Sequence, residues 1–305
     1  MKAFLHKVLI RVSLLFGFWP IRFFAWWIAT GYFLFRSSRR RSSIRLYQNI
    51  FPGRRFWYYL YCTWCQFHSF ASTFAERIEF SGKKGITTTV QGKEKFVEIA
   101  RKGRGGIIVV SHLGSFEIAA YAFQEFGLRL LIIMGEKEAK QVARDQREAM
   151  KAQGIEIQVA SEQDDSFFGG GEVLKFLREG GFVSLAGDVV WTEQRLLLPV
   201  DFFDRKVGFP SGPHLLALAS RAPLFTMFTF RVEKGRHLII MSPPREVKAT
   251  SRSERNTAIR ASAQAYANAL EEMVRQHPFQ WYIFEPFFRS APCDKRESSH
   301  QDHRS

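Results

Sequence analysis

The residues with the clearest capacity for chemistry are His112 and Glu117. They are five positions apart, a spacing that would separate them by about 140° on one continuous helix and put them on opposite faces of a strand. They meet only if the chain folds between them, which Gly114 permits because glycine has no steric bar to positive φ. A carboxylate there can hold one imidazole nitrogen while the other takes a proton. The spacing therefore indicates a general base with its orienting group, or else a structural histidine in a loop.

A strand and a helix must position this pair. The apolar, β-branched run Gly106–Val110 predicts a buried strand, and apolar residues at helical spacing from Ser115 to Phe126 predict a helix. His112 then lies in the turn between them. Glu117 lies in the first helical turn, where a carboxylate is favoured.

The same alternation continues along the chain. Strands are predicted at Ile86–Gln91, Leu128–Met134 and Gly181–Ala186, with helices between them, which indicates an α/β sheet with helices on both faces. Asp188 follows the third of these strands. Because open α/β sheets bind ligands at the carboxyl ends of their strands, we expect Asp188 to face the same cleft as His112, with a loop-capping role as the alternative.

Composition favours a lipid-facing protein with an anionic partner. The chain has 305 residues, a formal net charge of +15, and 15% aromatic residues including 31 Phe and 7 Trp. Its three cysteines form no disulfide framework, which indicates a reducing compartment. Cys62, Cys65 and His68 could share a helical face as metal ligands, but no second ligand pair follows, so we expect helix packing and no metal.

The N-terminal segment predicts a membrane anchor. From Val8 to Phe35 the chain is almost entirely apolar and aromatic, and about 20 apolar residues suffice to span a bilayer. The run is too long for a signal peptide and lacks a small-residue cleavage site. Arg22 favours a kinked or interfacial anchor. A single-pass anchor and an embedded hairpin stay open, with a buried core helix as a third alternative.

A basic block follows the apolar segment, formed by Arg36, Arg39, Arg40, Arg41 and Arg45. By the positive-inside rule this side faces the cytoplasm, and the block suits anionic headgroups. Nucleic acid is disfavoured as a partner, because the apolar segment beside the arginines would have no role in binding it.

The run His112–Glu117 resembles the His-x4-Asp/Glu signature of the lysophospholipid acyltransferase superfamily, and the Gly-rich strand before it most resembles the lipid A late acyltransferase branch. The order of motifs from Leu198 to Arg231 and the Gln280-Trp281 run are also similar to that branch. The resemblance implies a glycerolipid acyltransferase-like fold with a mixed central sheet over residues 46–290. Residues 1–45 would form the anchor and its basic segment, and residues 291–305 a disordered polar tail.

The resemblance also implies site residues. His112 and Glu117 would be catalytic, and the amides near Gly114 and Ser115 would stabilise an oxyanion. A conserved family arginine lies in the predicted helix over 139–153, where Arg147 is preferred to Arg144 and a solvated face is the alternative. The expected substrate-binding residues are Gly114, Ser115, Arg144, Arg147, Asp188, Phe202, Phe203 and Arg205.

The expected function is membrane-bound O-acyl transfer, from acyl-carrier protein or acyl-CoA to a hydroxyl of an amphipathic lipid, without metal or nucleotide cofactor. The enzyme would lie at a bacterial inner membrane with its domain on the cytoplasmic side. Lipid A enzymes usually continue after this run with a Trp- and Arg-rich segment, whereas here the chain after Trp281 is rich in Phe and Pro. This departure favours another glycolipid, a lysolipid or a polyketide-like product as the acceptor over lipid A itself. The alternatives are a lipid esterase or thioesterase using Ser111 or Ser115, disfavoured by the lack of a G-x-S-x-G elbow, and a non-catalytic membrane- or nucleic-acid-binding protein.

Overall fold

A computed structural model describes residues 19–79, 86–115, 118, 127–136, 139, 150–151, 154–160, 171–189 and 197–288. A sheet of seven strands lies at the centre of this part of the chain. Its strands are β1 Thr87–Gln91, β2 Gly106–Val110, β3 Leu130–Gly135, β4 Ile155–Ala160, β5 Phe182–Ala186, β8 Leu224–Glu233 and β9 Arg236–Met241. Their order across the sheet is β1-β9-β8-β2-β5-β3-β4.

The sheet is mostly parallel. Strands β8, β2, β5, β3 and β4 all run in the same direction. Strand β9 runs antiparallel to β8, and β1 runs parallel to β9. The sequence-based prediction of a mixed α/β sheet is therefore confirmed. A separate antiparallel hairpin is formed by β6 Leu197–Phe202 and β7 Arg205–Pro210.

Helices cover both faces of the sheet. In the described ranges the chain forms α1 Trp19–Phe35, α2 Ser37–Ile50, α3 Phe56–Glu79, α4 Glu94–Arg101, α5 Glu172–Arg178, α6 Gly212–Ser220 and α7 Arg255–Gln276, followed by a 3-10 turn at Pro278–Gln280. Because side chains alternate along a strand, β2 contributes to two cores. Ile107 and Val109 pack in a cluster with Tyr266 of α7, whereas Ile108 packs in a second cluster with Phe96 of α4.

Helix α1 is largely solvent-facing. Helix α1 packs against α3, yet the buried residues of α1 are Pro20, Ile21 and Ala29. Within the described ranges we find no helix with both the length and the apolar character needed to cross a bilayer. Residues 1–18, which open the predicted anchor, and the tail from 289 onward lie outside the described residues.

Candidate active site

The site is built on two neighbouring strands whose ends are in register. Val110 of β2 pairs with Ala186 of β5 in a parallel ladder, and His112 and Asp188 each follow two residues after that pair. The two side chains therefore leave the same edge of the sheet together. His112 Nδ1 lies 3.0 Å from Asp188 Oδ1, and the backbone N–H of His112 donates to Asp188 Oδ2 at 2.7 Å.

The Asp188 carboxylate is fully buried, whereas the His112 side chain keeps 25% of its surface exposed. A buried carboxylate is tolerated only when donors replace its lost hydration. Besides the two donors from His112, the indole Nε1–H of Trp281 donates to Oδ2 at 3.0 Å. Three N–H groups thus fix the plane of the carboxylate, with Oδ1 aimed at the imidazole.

Close packing beneath the pair holds the two strands together. A Cβ on Gly187 would lie 2.4 Å from Val109 Cγ1 and 2.6 Å from the Tyr266 ring. The Tyr266 hydroxyl donates to the Val110 carbonyl at 3.0 Å. Burial, reinforced by the nearby Asp188 charge, raises the pKa of Tyr266 well above its ordinary value, so it stays a neutral donor.

Gly114 allows the turn after His112, as the sequence predicts. Its φ is +76°, and a Cβ there would lie 1.4 Å from the carbonyl oxygen of Thr229, so no other residue fits this backbone. The Gly114 amide donates to the Gln280 carbonyl at 2.8 Å and the Ser115 amide to the Thr229 carbonyl at 3.2 Å. Both amide hydrogens are thus already bonded to backbone carbonyls. The expected role of these amides in stabilising an oxyanion is therefore not supported.

The two serines beside His112 have different surroundings, although both are buried. Ser111 Oγ accepts from the Leu113 amide at 3.3 Å and also interacts with the Tyr266 hydroxyl. Ser115 Oγ has no hydrogen-bond partner among the described residues. Ser111 is therefore engaged on the core side of the turn, a poor position for a nucleophile.

The other predicted site residues are dispersed. Phe202 and Phe203 are 0% and 4% exposed, and their rings pack on Trp281 and Phe288. A substrate could reach them only if this packing opened, so we assign them to the core. Arg205 is exposed at the start of β7, directly after the turn of the β6–β7 hairpin.

Glu117, Arg144 and Arg147 lie outside the described residues. The sequence assigns the orienting carboxylate to Glu117. In the described structure, the carboxylate at Nδ1 of His112 belongs to Asp188.

Sequence reasoning missed the segment Gln280–Ile283, which lies along the His112 turn. Leu113 and Trp281 form an antiparallel bridge, and the Tyr282 amide donates to the His112 carbonyl at 2.9 Å. In the sequence, the Gln280-Trp281 run stands out only as a mark of resemblance. The signal available in the sequence was a Trp after the last predicted helix. If such a residue is buried, its indole N–H needs a hydrogen-bond partner.

Taken together, the fold and the site define an α/β protein with a histidine–aspartate pair at the carboxyl edge of a mostly parallel sheet. The family model of the bacterial lipid A biosynthesis acyltransferases matches residues 63–290, which is most of the chain. The chain belongs to this family, and membership implies acyltransferase activity. A search of curated proteins found no match.

Proposed function

We propose that this protein is a membrane-associated O-acyltransferase. It moves a fatty acyl group from acyl-carrier protein, or from acyl-CoA, to a hydroxyl of a glycolipid or lysolipid. The observation that carries the proposal is the 3.0 Å contact between His112 Nδ1 and the buried Asp188 carboxylate. A histidine oriented in this way is the usual general base for activating a hydroxyl.

The contact with Asp188 is the basis on which we propose which nitrogen acts. Because the Asp188 carboxylate can only accept, Nδ1 carries the proton of the neutral imidazole and the basic lone pair is on Nε2. The acceptor hydroxyl gives its proton to Nε2 as its oxygen attacks the thioester carbonyl. Collapse of the tetrahedral intermediate breaks the C–S bond, and the departing sulfur takes the proton from Nε2. The products are an ester and a free thiol.

Charge supports an acidic donor. The formal net charge of +15 would attract an acidic carrier protein or the phosphates of CoA. Arg205 is exposed beside the similarly exposed Lys206, which pairs with Asp201 at 2.8 Å. We propose this hairpin turn as one contact for an anionic group.

An exposed apolar surface supports membrane association. We call it the aromatic surface; its members are Trp19, Phe23, Phe24, Trp26, Trp27, Ile28, Tyr32, Leu34 and Phe35 of α1 and Phe56, Trp57, Tyr61, Phe70 and Phe74 of α3. Soluble monomers rarely expose so many large apolar side chains together. Aromatic rings suit the boundary between headgroups and acyl chains.

Arginines next to the aromatic surface complete this binding mode. Arg36, Arg39, Arg41 and Arg45 are exposed on and before α2, where they can pair with anionic headgroups. Arg40 instead donates to the carbonyls of Phe33 and Leu34 at the end of α1. We therefore propose that the protein lies on the cytoplasmic side of a bacterial inner membrane, where a lipid acceptor is accessible.

The aromatic surface can be tested by the double variant Phe24→Ser/Ile28→Ser. These side chains are 50% and 60% exposed and lie one helical turn apart. We expect the vesicle partition coefficient to fall about tenfold or more, since burial of each apolar side chain contributes about 1.5–3 kcal/mol. Co-sedimentation with vesicles of mixed anionic and zwitterionic lipids measures it.

The matched control for this experiment is Val232→Ser. Val232 is 61% exposed near the end of β8 and is not a member of the aromatic surface. Its variant should bind like wild type. Equal binding by the double variant and the control would contradict membrane docking through α1.

The proposed activity itself is tested with membranes from cells that carry the protein and from cells that lack it. Both are incubated with isotopically labelled acyl-carrier protein or acyl-CoA, and the lipids are resolved by mass spectrometry. We expect a labelled lipid ester only when the protein is present, and its mass identifies the acceptor. Labelled free fatty acid without an ester would instead indicate a thioesterase. No difference between the two membranes would indicate a binding protein.

A further inference from the structure

We propose that Trp281 is a positioning residue that acts on His112 through the Asp188 carboxylate. The inference rests on the proposed general-base function of His112. It goes beyond that function because it assigns the indole N–H the role of orienting the Asp188 carboxylate, which aromatic packing alone cannot do.

The two oxygens of Asp188 accept from different donors. Oδ2 accepts from the His112 backbone N–H at 2.7 Å and from Trp281 Nε1 at 3.0 Å, while Oδ1 faces His112 Nδ1 at 3.0 Å. With one donor on Oδ2 the carboxylate could swing about that single bond. The second donor, from a different part of the chain, removes this freedom and keeps Oδ1 opposite the imidazole.

Trp281 is itself rigidly held, so the direction of its N–H is fixed. The residue is fully buried, with its ring 4.7 Å from that of Phe287 and 5.8 Å from that of Phe202 between centroids. Its carbonyl accepts from Gln66 Nε2 of α3 at 2.5 Å. On either side of it, the Gln280 carbonyl and the Tyr282 amide bond to the His112 turn.

Hydrogen bonds therefore connect Gln66 of α3, through Trp281 and Asp188, to the imidazole of His112. A change that removes only the indole N–H should leave the fold intact and disturb the orientation of Asp188. Trp281→Phe makes this change, because it keeps an aromatic ring and removes the donor. Phe287→Leu is the matched control, because it replaces one ring on Trp281 by another apolar side chain and keeps the donor, while Phe202 and the backbone bonds of Gln280 and Tyr282 still hold the indole in place.

Two NMR signals report on the contact without requiring turnover. The first is the indole 1H–15N resonance of Trp281, identified by its absence in Trp281→Phe. We expect it to lie downfield, as for a donor to a carboxylate, to move upfield in Asp188→Asn, and to stay in place in Phe287→Leu. The second is the pair of imidazole 15N shifts of His112, identified with His112→Gln. We expect Trp281→Phe, and not Phe287→Leu, to change the tautomer that these shifts report.

Kinetics complete the test. We expect Trp281→Phe to lower kcat by about 10- to 100-fold, with KM changed by less than about twofold, since small errors in orientation have effects of this size. Phe287→Leu should stay close to wild type. The positioning role would be overturned if the indole resonance did not shift in Asp188→Asn. Equal kinetic losses in Trp281→Phe and Phe287→Leu would also overturn it. Lack of transferase activity in the wild-type protein would count against the proposed function, while the NMR signals would still decide the contact.

Discussion

The variant His112→Gln is expected to lose about 10²- to 10⁴-fold of the rate of acyl transfer, the usual contribution of a general base. Glutamine has a similar length and can keep polar contacts, but it cannot take a proton at neutral pH. The side chain is 25% exposed, so the substitution should leave the melting temperature within a few degrees of wild type. Initial rates with labelled acyl donor and thermal unfolding of the same preparation measure the two effects.

Ser111→Ala provides the control that separates transfer from serine-based hydrolysis. Ser111 is adjacent to His112 but faces Leu113 and Tyr266. Its loss should therefore leave most of the activity. If Ser111→Ala were as inactive as His112→Gln, a serine nucleophile would replace the general-base mechanism.

Asp188→Asn is expected to cause a loss approaching that of His112→Gln, for a reason that the hydrogen bonds specify. Two N–H groups converge on Oδ2, so the amide oxygen of the introduced asparagine must take that position. The NH2 group then falls where Oδ1 was and points at Nδ1 of His112. This forces the proton of the imidazole to Nε2, the wrong tautomer for a base, and an equivalent change in a serine protease costs about 10⁴-fold. Steady-state kinetics measure the loss, and imidazole 15N shifts show the tautomer.

The control for this substitution is Asp201→Asn. Asp201 has a side chain that is 66% exposed and pairs with Lys206 on the surface, where ion pairs contribute little to stability. It should retain activity and stability. An active Asp188→Asn enzyme with its fold intact would contradict the orienting role of Asp188.

The central fold followed from the sequence because its signals are local. The run Gly106–Val110 is entirely apolar and β-branched after its glycine, and the structure has the strand at those residues. The helix Glu172–Arg178 also has its predicted bounds. Strand β4 at Ile155–Ala160 was not predicted, although its alternation of apolar residues with Glu156 and Gln158 is the two-residue period of a half-buried strand. The β6–β7 hairpin was missed because its tight turn places Phe203 and Asp204, rather than glycine, at positive φ.

The site was only partly predictable, because its contacts join distant parts of the chain. His112 and the Gly114 turn could be recognised from neighbouring residues. The contact of Asp188 with His112 depends on how β2 and β5 are aligned along their length. The sequence indicates that both residues lie at the same edge of the sheet, but it does not give this alignment. Trp281 reaches Asp188 across 93 positions of the chain, and no local pattern carries that information.

The most direct test of the His112–Asp188 unit is a double-mutant cycle with His112→Gln, Asp188→Asn and the double variant, measured as kcat/KM for acyl transfer. If Asp188 acts through His112, the double variant should be no more than about twofold slower than His112→Gln, because residues that act as a unit are strongly non-additive. Losses that multiply would show that Asp188 and His112 contribute independently, and would contradict the mechanism.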